Sequence, residues 1–105
     1  MNFLHGISLT AGGFYAPQNR NICCINSIPK FNNFLNILHN FSSHNLHITN
    51  FEMETAAIYS LAKLFNHNAI AVNALINNRM SKQCSNCIEQ TIDKLIKETL
   101  EIIIS

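Results

Sequence analysis

Tryptophan is absent from this 105-residue chain, glycine occurs three times, proline twice, and charged side chains make up only 12% of it. The few charges nearly cancel, at net +1. That balance excludes a basic stripe for nucleic acid and a polybasic patch for an anionic membrane. No run of about 18 apolar residues is present to span a bilayer, and the first residues lack the basic start and long apolar core of a signal peptide. The expected location is therefore the cytoplasm. A hydrophobic content of 48% over this length suits one domain and is too little chain for two.

What is abundant is asparagine and isoleucine, sixteen and fifteen residues respectively. The asparagines are scattered among aliphatic periodic segments, so they read as compositional drift and not as a prion-like tract. The four cysteines fall as Cys23-Cys24 and as Cys84-Ser85-Asn86-Cys87. A four-thiolate zinc site would need two spaced knuckles, and a vicinal pair cannot supply the second. The CxxC motif precedes a helical pattern, and a helix N-terminus lowers a thiol pKa, so a small thiol-redox protein is one alternative reading. The expectation is otherwise ordinary reduced cysteines in a cytosolic chain, and no metal.

Periodicity organises the rest. Asn2 to Thr10 reads as a short strand, broken at Gly6 and stopped by Ala11-Gly12-Gly13. Phe14 to Arg20, "FYAPQNR", is loop-like, because Pro17 removes a backbone donor and disfavours helix at Ala16. Ile22 to Ile28 reads as a second short strand. Phe31, Phe34, Leu35 and Leu38 recur at helical spacing after Pro29. Leu46 to Phe51 alternates as a strand. Met53, Ala56, Ala57, Ser60, Leu61 and Leu64 make one small-residue helical face suited to close packing on a sheet. Ala69 to Ile76 is nearly continuous in apolar residues, as a central buried strand would be. Ile88, Ile92, Leu95, Ile96, Thr99 and Ile103 form a final helical stripe, with Asp93–Lys97 and Lys97–Glu101 at i,i+4 on its outer side. This alternation of strand and helix predicts an α/β layer fold. The first residues already read as a buried strand with no cap before them, as if the chain began inside a domain.

Two glutamates stand where the small-residue helix begins, in "ITNFEMETAAIYSLAK". Thr49-Asn50-Phe51-Glu52 matches a capping box, which would make Glu52 structural. Glu54 has no such role; a carboxylate in a first turn is favoured by the helix dipole, yet this one follows a strand, where α/β sheets hold their ligands. The only arginines, Arg20 and Arg79, each follow polar residues in a loop after a predicted strand, "PQNR" and "NNR". Each alone would suit solvent. As a pair of fork-shaped donors they suit a planar, carbonyl-rich or anionic ligand better than lysines would.

"GISLTAGG", "FYAPQNR" and "NFEMETAAIYSLAKLFNHNAIAVNALINNR", in this order, resemble the C-terminal half of uridine phosphorylase-like enzymes of the nucleoside phosphorylase family. The resemblance runs from about Gly6 to Lys97. It implies part of a three-layer αβα fold with a mixed central sheet, and phosphorolysis of a pyrimidine nucleoside with phosphate as co-substrate and no other cofactor. By the same resemblance Phe14 packs beside the base, Gln18 and Arg20 read its carbonyl and imide edge, and Met53 and Glu54 contact the ribose. Glu52 completes the triplet, Ile76 and Asn77 line the base pocket, and Arg79 supports Gln18 and Arg20. Asn77 stands where purine-specific relatives carry an acid that protonates the base, which favours a pyrimidine.

The departures set the expectation for partners. In the family the phosphate sits on glycine-rich and arginine-bearing loops of the N-terminal half, and a threonine there also faces the sugar. With no third arginine and only Gly6, Gly12 and Gly13, these residues cannot build that cradle. The expectation is a truncated or split enzyme that works as a homo-oligomer or with a complementing N-terminal half. The alternative is a non-catalytic remnant that docks on a complete phosphorylase subunit through an open sheet edge.

Overall fold

A computed structural model of the chain describes residues 3–20 and 33–105. The expected strand Ile22 to Ile28 lies outside these residues, as do Pro29 and Phe31. The chain divides into two compact units, Leu4–Ala71 and a second that holds Val72–Ser105.

The first unit is built on a small mixed sheet of three strands in the order β1-β3-β2, where β1 is Ile7–Thr10, β2 is Ser42–Ser43 and β3 is Leu46–Glu52. β1 runs parallel to β3, with Ser8 opposite Asn50, Leu9 opposite Phe51 and Thr10 opposite Glu52. β2 runs antiparallel to β3. The hairpin between them turns through His44 and Asn45, both at positive φ of 50° and 62°, the geometry of tight two-residue loops.

Side chains alternate across the sheet, so one face of the parallel pair is polar and the other apolar. On the polar face the Ser8 hydroxyl donates to Asn50 Oδ1 at 3.1 Å, and the Thr10 hydroxyl donates to Glu52 Oε1. On the other face Phe51 stacks on Phe34 with ring centroids 6.0 Å apart, which fixes the helix α1, Phe34–Asn40, against β3. Helix α2, Thr55–Leu64, follows β3 almost at once.

The register of β1 on β3 shifts between Ile7 and Ser8. Of the expected strand Asn2 to Thr10, Asn2 lies outside the described residues and the strand formed is Ile7–Thr10. Gly6 comes so close to β3 that a Cβ on it would meet the Thr49 side chain at 2.0 Å. The glycine that the sequence marks as a break is thus where two backbones approach.

The second unit contains a short hairpin, β4 (Asn77–Asn78) with β5 (Gln83–Cys84), and the long helix α3, Ile88–Ile104. Asn78 Oδ1 accepts from the amides of Met80 at 2.9 Å and Ser81 at 3.2 Å, an Asx turn that closes the hairpin. Along α3 the Lys97–Asp93 pair forms at 2.7 Å and Lys94–Glu98 at 3.8 Å. Among the described residues Lys97 makes no ion pair with Glu101, because Asp93 holds its ammonium.

Two expectations fail in the same way. Ala69–Ile76 is not a strand; Ile70 is 83% exposed, and no strand among the described residues hydrogen-bonds to the segment. An extended apolar run becomes a strand only when a ladder is offered to it. The apolar stripes of α2 and α3 are likewise mostly uncovered, with Leu64 at 73% and Ile103 at 72% exposure. Ala11, at 9%, is the most buried apolar residue described. The chain is thus mixed helix and strand with a small mixed sheet. No helix among the described residues is long and apolar enough to cross a membrane.

Candidate functional site

The parallel pairing of β1 with β3 decides where the site residues go. Thr10 and Glu52 are the last residues of the two strands and stand opposite each other, and the Ala11 amide still donates to the Glu52 carbonyl at 2.9 Å. The two segments that follow therefore leave from the same end of adjacent parallel strands. One carries Phe14, Gln18 and Arg20; the other carries Met53 and Glu54. This carboxyl end is where open α/β sheets bind ligands.

The first segment is more ordered than a plain loop. Ala16–Gln18 forms one turn of 3₁₀ helix with Pro17 inside it, where its missing amide costs nothing. Asn19 then adopts the left-handed conformation at φ 55°, and the Arg20 amide returns to the Tyr15 carbonyl at 2.9 Å. This knot brings Gln18 to 4% exposure and folds Arg20 back over Phe14, with Cζ 4.1 Å from the ring centroid. Tyr15 packs edge-on to Phe14 at 5.2 Å. The face of the Phe14 ring is engaged by a guanidinium, an arrangement worth about 0.5–2 kcal/mol. The Arg20 Nε is buried and has no hydrogen-bond partner among the described residues. Such a group costs about 1–3 kcal/mol when it goes unsatisfied.

The second segment separates the two glutamates. Glu52 is the cap, but not through the expected box with Thr49. Thr49 sits at the register shift, donating to Asn50 Oδ1 at 2.9 Å, and strand pairing carries β3 through to Glu52, so α2 starts only at Thr55. The Glu52 carboxylate instead accepts the amides of Glu54 at 2.8 Å and Thr55 at 2.6 Å through Oε2. Its Oε1 accepts from the Thr10 hydroxyl, which in turn accepts the Ala56 amide at 3.0 Å. Three amides at the start of α2 are thereby satisfied. Met53 precedes the helix, 41% exposed, and does not belong to its stripe. Glu54 is exposed, and no hydrogen bond or ion pair engages its carboxylate among the described residues. A carboxylate without a protein partner, at the end of a parallel strand, is free to accept hydroxyls from a ligand.

Desolvation by the surrounding chain pushes the Glu52 carboxyl up. Hydrogen bonds from the Thr10 hydroxyl, from Thr55 through backbone and side chain, and from the Glu54 amide outweigh it and hold the pKa down at about 2. A carboxyl whose folded pKa lies below its ordinary 4.5 gives stability that is fully present above the unfolded value and lost as pH falls through the folded one. Denaturant unfolding of the wild type and of Glu52→Gln should therefore differ most above pH 4.5 and converge toward pH 2. A gap that stays constant with pH would show that the carboxylate is not the cap.

Thr10 is the residue that sequence reasoning did not single out. Its signal is weak by nature: a threonine ending a strand is commonplace, and only the pairing of β1 with β3 brings it to Glu52. Ser8 and Asn50, one pair further down the same face, are equally silent in sequence.

Ile76, Asn77 and Arg79 belong to the second unit. The Ile76 carbonyl accepts the Ser85 amide at 2.7 Å, Asn77 pairs with Cys84 in the hairpin, and Arg79 is half-buried in the turn after β4. Cys84 and Cys87 are free and exposed, one in β5 and the other immediately before α3. Among the described residues no cluster of three or more histidine, cysteine or acidic side chains is arranged to hold a metal ion. Compared with known proteins, the chain matches no family model, no curated protein and no solved structure.

Proposed function

We propose that this chain is the base- and ribose-reading half of a uridine phosphorylase-like nucleoside phosphorylase, and that its small mixed sheet is a piece of the larger sheet of a three-layer αβα fold. The observation that carries the reading is the emergence of two unlike segments from one end of the parallel β1–β3 pair. One presents a buried Arg20 Nε without a partner beside Gln18 and Phe14; the other presents the unengaged Glu54 carboxylate. A donor-rich loop suits the oxygens of a pyrimidine, and an acceptor-only carboxylate suits the hydroxyls of its sugar.

The chemistry follows from those groups. Phosphate attacks C1′ of the ribose as the glycosidic bond breaks, and the bonding pair leaves with the base. Positive charge grows on the sugar and negative charge on the base oxygens. Arg20 and Gln18 donate to those oxygens as charge develops, in the manner of an oxyanion hole. Glu54 fixes the sugar and offers negative charge near the developing cation. No covalent nucleophile is required. In the second unit Asn77 stands, by the resemblance, where purine-specific relatives carry an acid, and an asparagine cannot protonate a purine, which favours a pyrimidine substrate.

Phosphate is left for a complementing N-terminal half or a neighbouring subunit to hold. The exposed apolar residues of α2 and, separately, those of α3 support such a partner, since an apolar helix face left in water calls for cover. The test is reconstitution: the chain mixed with the N-terminal half of a uridine phosphorylase should release uracil from uridine in proportion to added phosphate. A mixture that forms a complex and yet stays inactive would count against the reading.

A further inference from the structure

The link between Thr10 and Glu52 joins the two loops of the site, and nothing in the phosphorolysis just described requires it. Thr10 ends β1 and opens the segment that carries Phe14, Gln18 and Arg20. Its hydroxyl donates to Glu52 Oε1 and accepts the Ala56 amide at 3.0 Å. The other oxygen of the same carboxylate holds the Glu54 amide at 2.8 Å and the Thr55 amide at 2.6 Å. Every link in this chain of contacts involves a charge or a fixed amide, and charge-assisted bonds are the stronger kind. Glu54 itself sits at the helix boundary with φ −132° and ψ −21°, and its side chain makes no capping bond. Its backbone is therefore held by Glu52, and Glu52 is held by Thr10.

We propose that Thr10 is a positioning residue for the sugar-reading carboxylate: through Glu52 it sets the backbone of Glu54, and so the distance between the loop that reads the base and the group that reads the ribose. The proposal rests on the reading of Glu54 as an acceptor of ribose hydroxyls. Both oxygens of Glu52 are engaged by the protein, whereas the Glu54 carboxylate has no hydrogen bond among the described residues. The link differs from a purely structural cap in one respect. A cap supports α2 as a whole, whereas a positioning link affects only ligands that carry the sugar.

That difference defines the experiment. Uracil and uridine are titrated separately into the full chain and followed by amide NMR, for the wild type, Thr10→Val and Thr10→Ser. The wild type should bind uridine more tightly than uracil. Thr10→Val should weaken uridine by about tenfold, the size of one charge-assisted hydrogen bond, and leave uracil within about twofold. Thr10→Ser, which keeps the hydroxyl, should restore the uridine preference. Should valine disturb the strand end, Thr10→Ala gives the same contrast without added bulk. A loss of both affinities together, or of neither, overturns the positioning role and leaves the site reading standing. A wild-type chain that binds neither ligand removes the site reading, and the positioning role with it.

Discussion

The chain purified alone is expected to release no uracil from uridine, with or without phosphate. Phosphorolysis needs a phosphate held in line with the glycosidic bond, and holding a reactant in place is worth about 7–11 kcal/mol of the barrier. The natural anion site in this fold would be the start of α2, where amides and the helix dipole converge. Here the amides of Glu54, Thr55 and Ala56 are already taken by the Glu52 carboxylate and the Thr10 hydroxyl. A carboxylate in that position repels phosphate. The Gly12-Gly13 pair offers no substitute, since neither glycine takes the positive φ that phosphate-cradling loops exploit. The measurement is a coupled uracil assay on the purified chain at saturating phosphate, and phosphate-dependent turnover by the chain alone would contradict the account.

In the reconstituted enzyme, Arg20→Ala should lower kcat by about 10²–10³, or roughly 2.7–4 kcal/mol, the usual cost of removing one donor from a developing anion. KM should move much less, because the bond strengthens only as the base departs. Lysine should not replace the arginine. The Arg20 guanidinium lies over the Phe14 ring, with Cζ 4.1 Å from the centroid, and a flexible ammonium does not reproduce a planar fork in that place. Glu54→Gln should behave differently, blunting the preference for ribose over 2-deoxyribose while the leaving-group step is largely kept. Steady-state kinetics with uridine and 2′-deoxyuridine separate the two variants. Equal losses in kcat for both would show that the loops do not divide the work as proposed.

The parts of the fold that were legible in sequence are those whose signal is local. The alternation in Leu46–Phe51, the spacing of Phe34, Leu35 and Leu38, and the long stripe from Ile88 each became the element expected. Ala69–Ile76 did not, because a buried strand is a statement about neighbours and not about its own residues. The site divides the same way. Carboxylate and arginine residues announced themselves by scarcity, in a chain with two arginines and six acidic residues. The assignment of Glu52 as cap was legible, but its partner was not: local spacing pointed to Thr49, three residues away, and the structure uses Thr10, forty-two residues away. The same parallel register that hid Thr10 from sequence is what brings the two loops to one end of the sheet.

The central claim is that the Phe14–Arg20 loop reads a pyrimidine, and the most direct test is the response of two donors to the free base. With uracil titrated into the full chain, the account predicts that the Arg20 Nε–H resonance, whose nitrogen is buried without a hydrogen-bond partner, moves downfield in step with the Gln18 side-chain amide. Resonances of α3 should stay in place. Saturating uracil that leaves Arg20 and Gln18 unmoved would contradict the account.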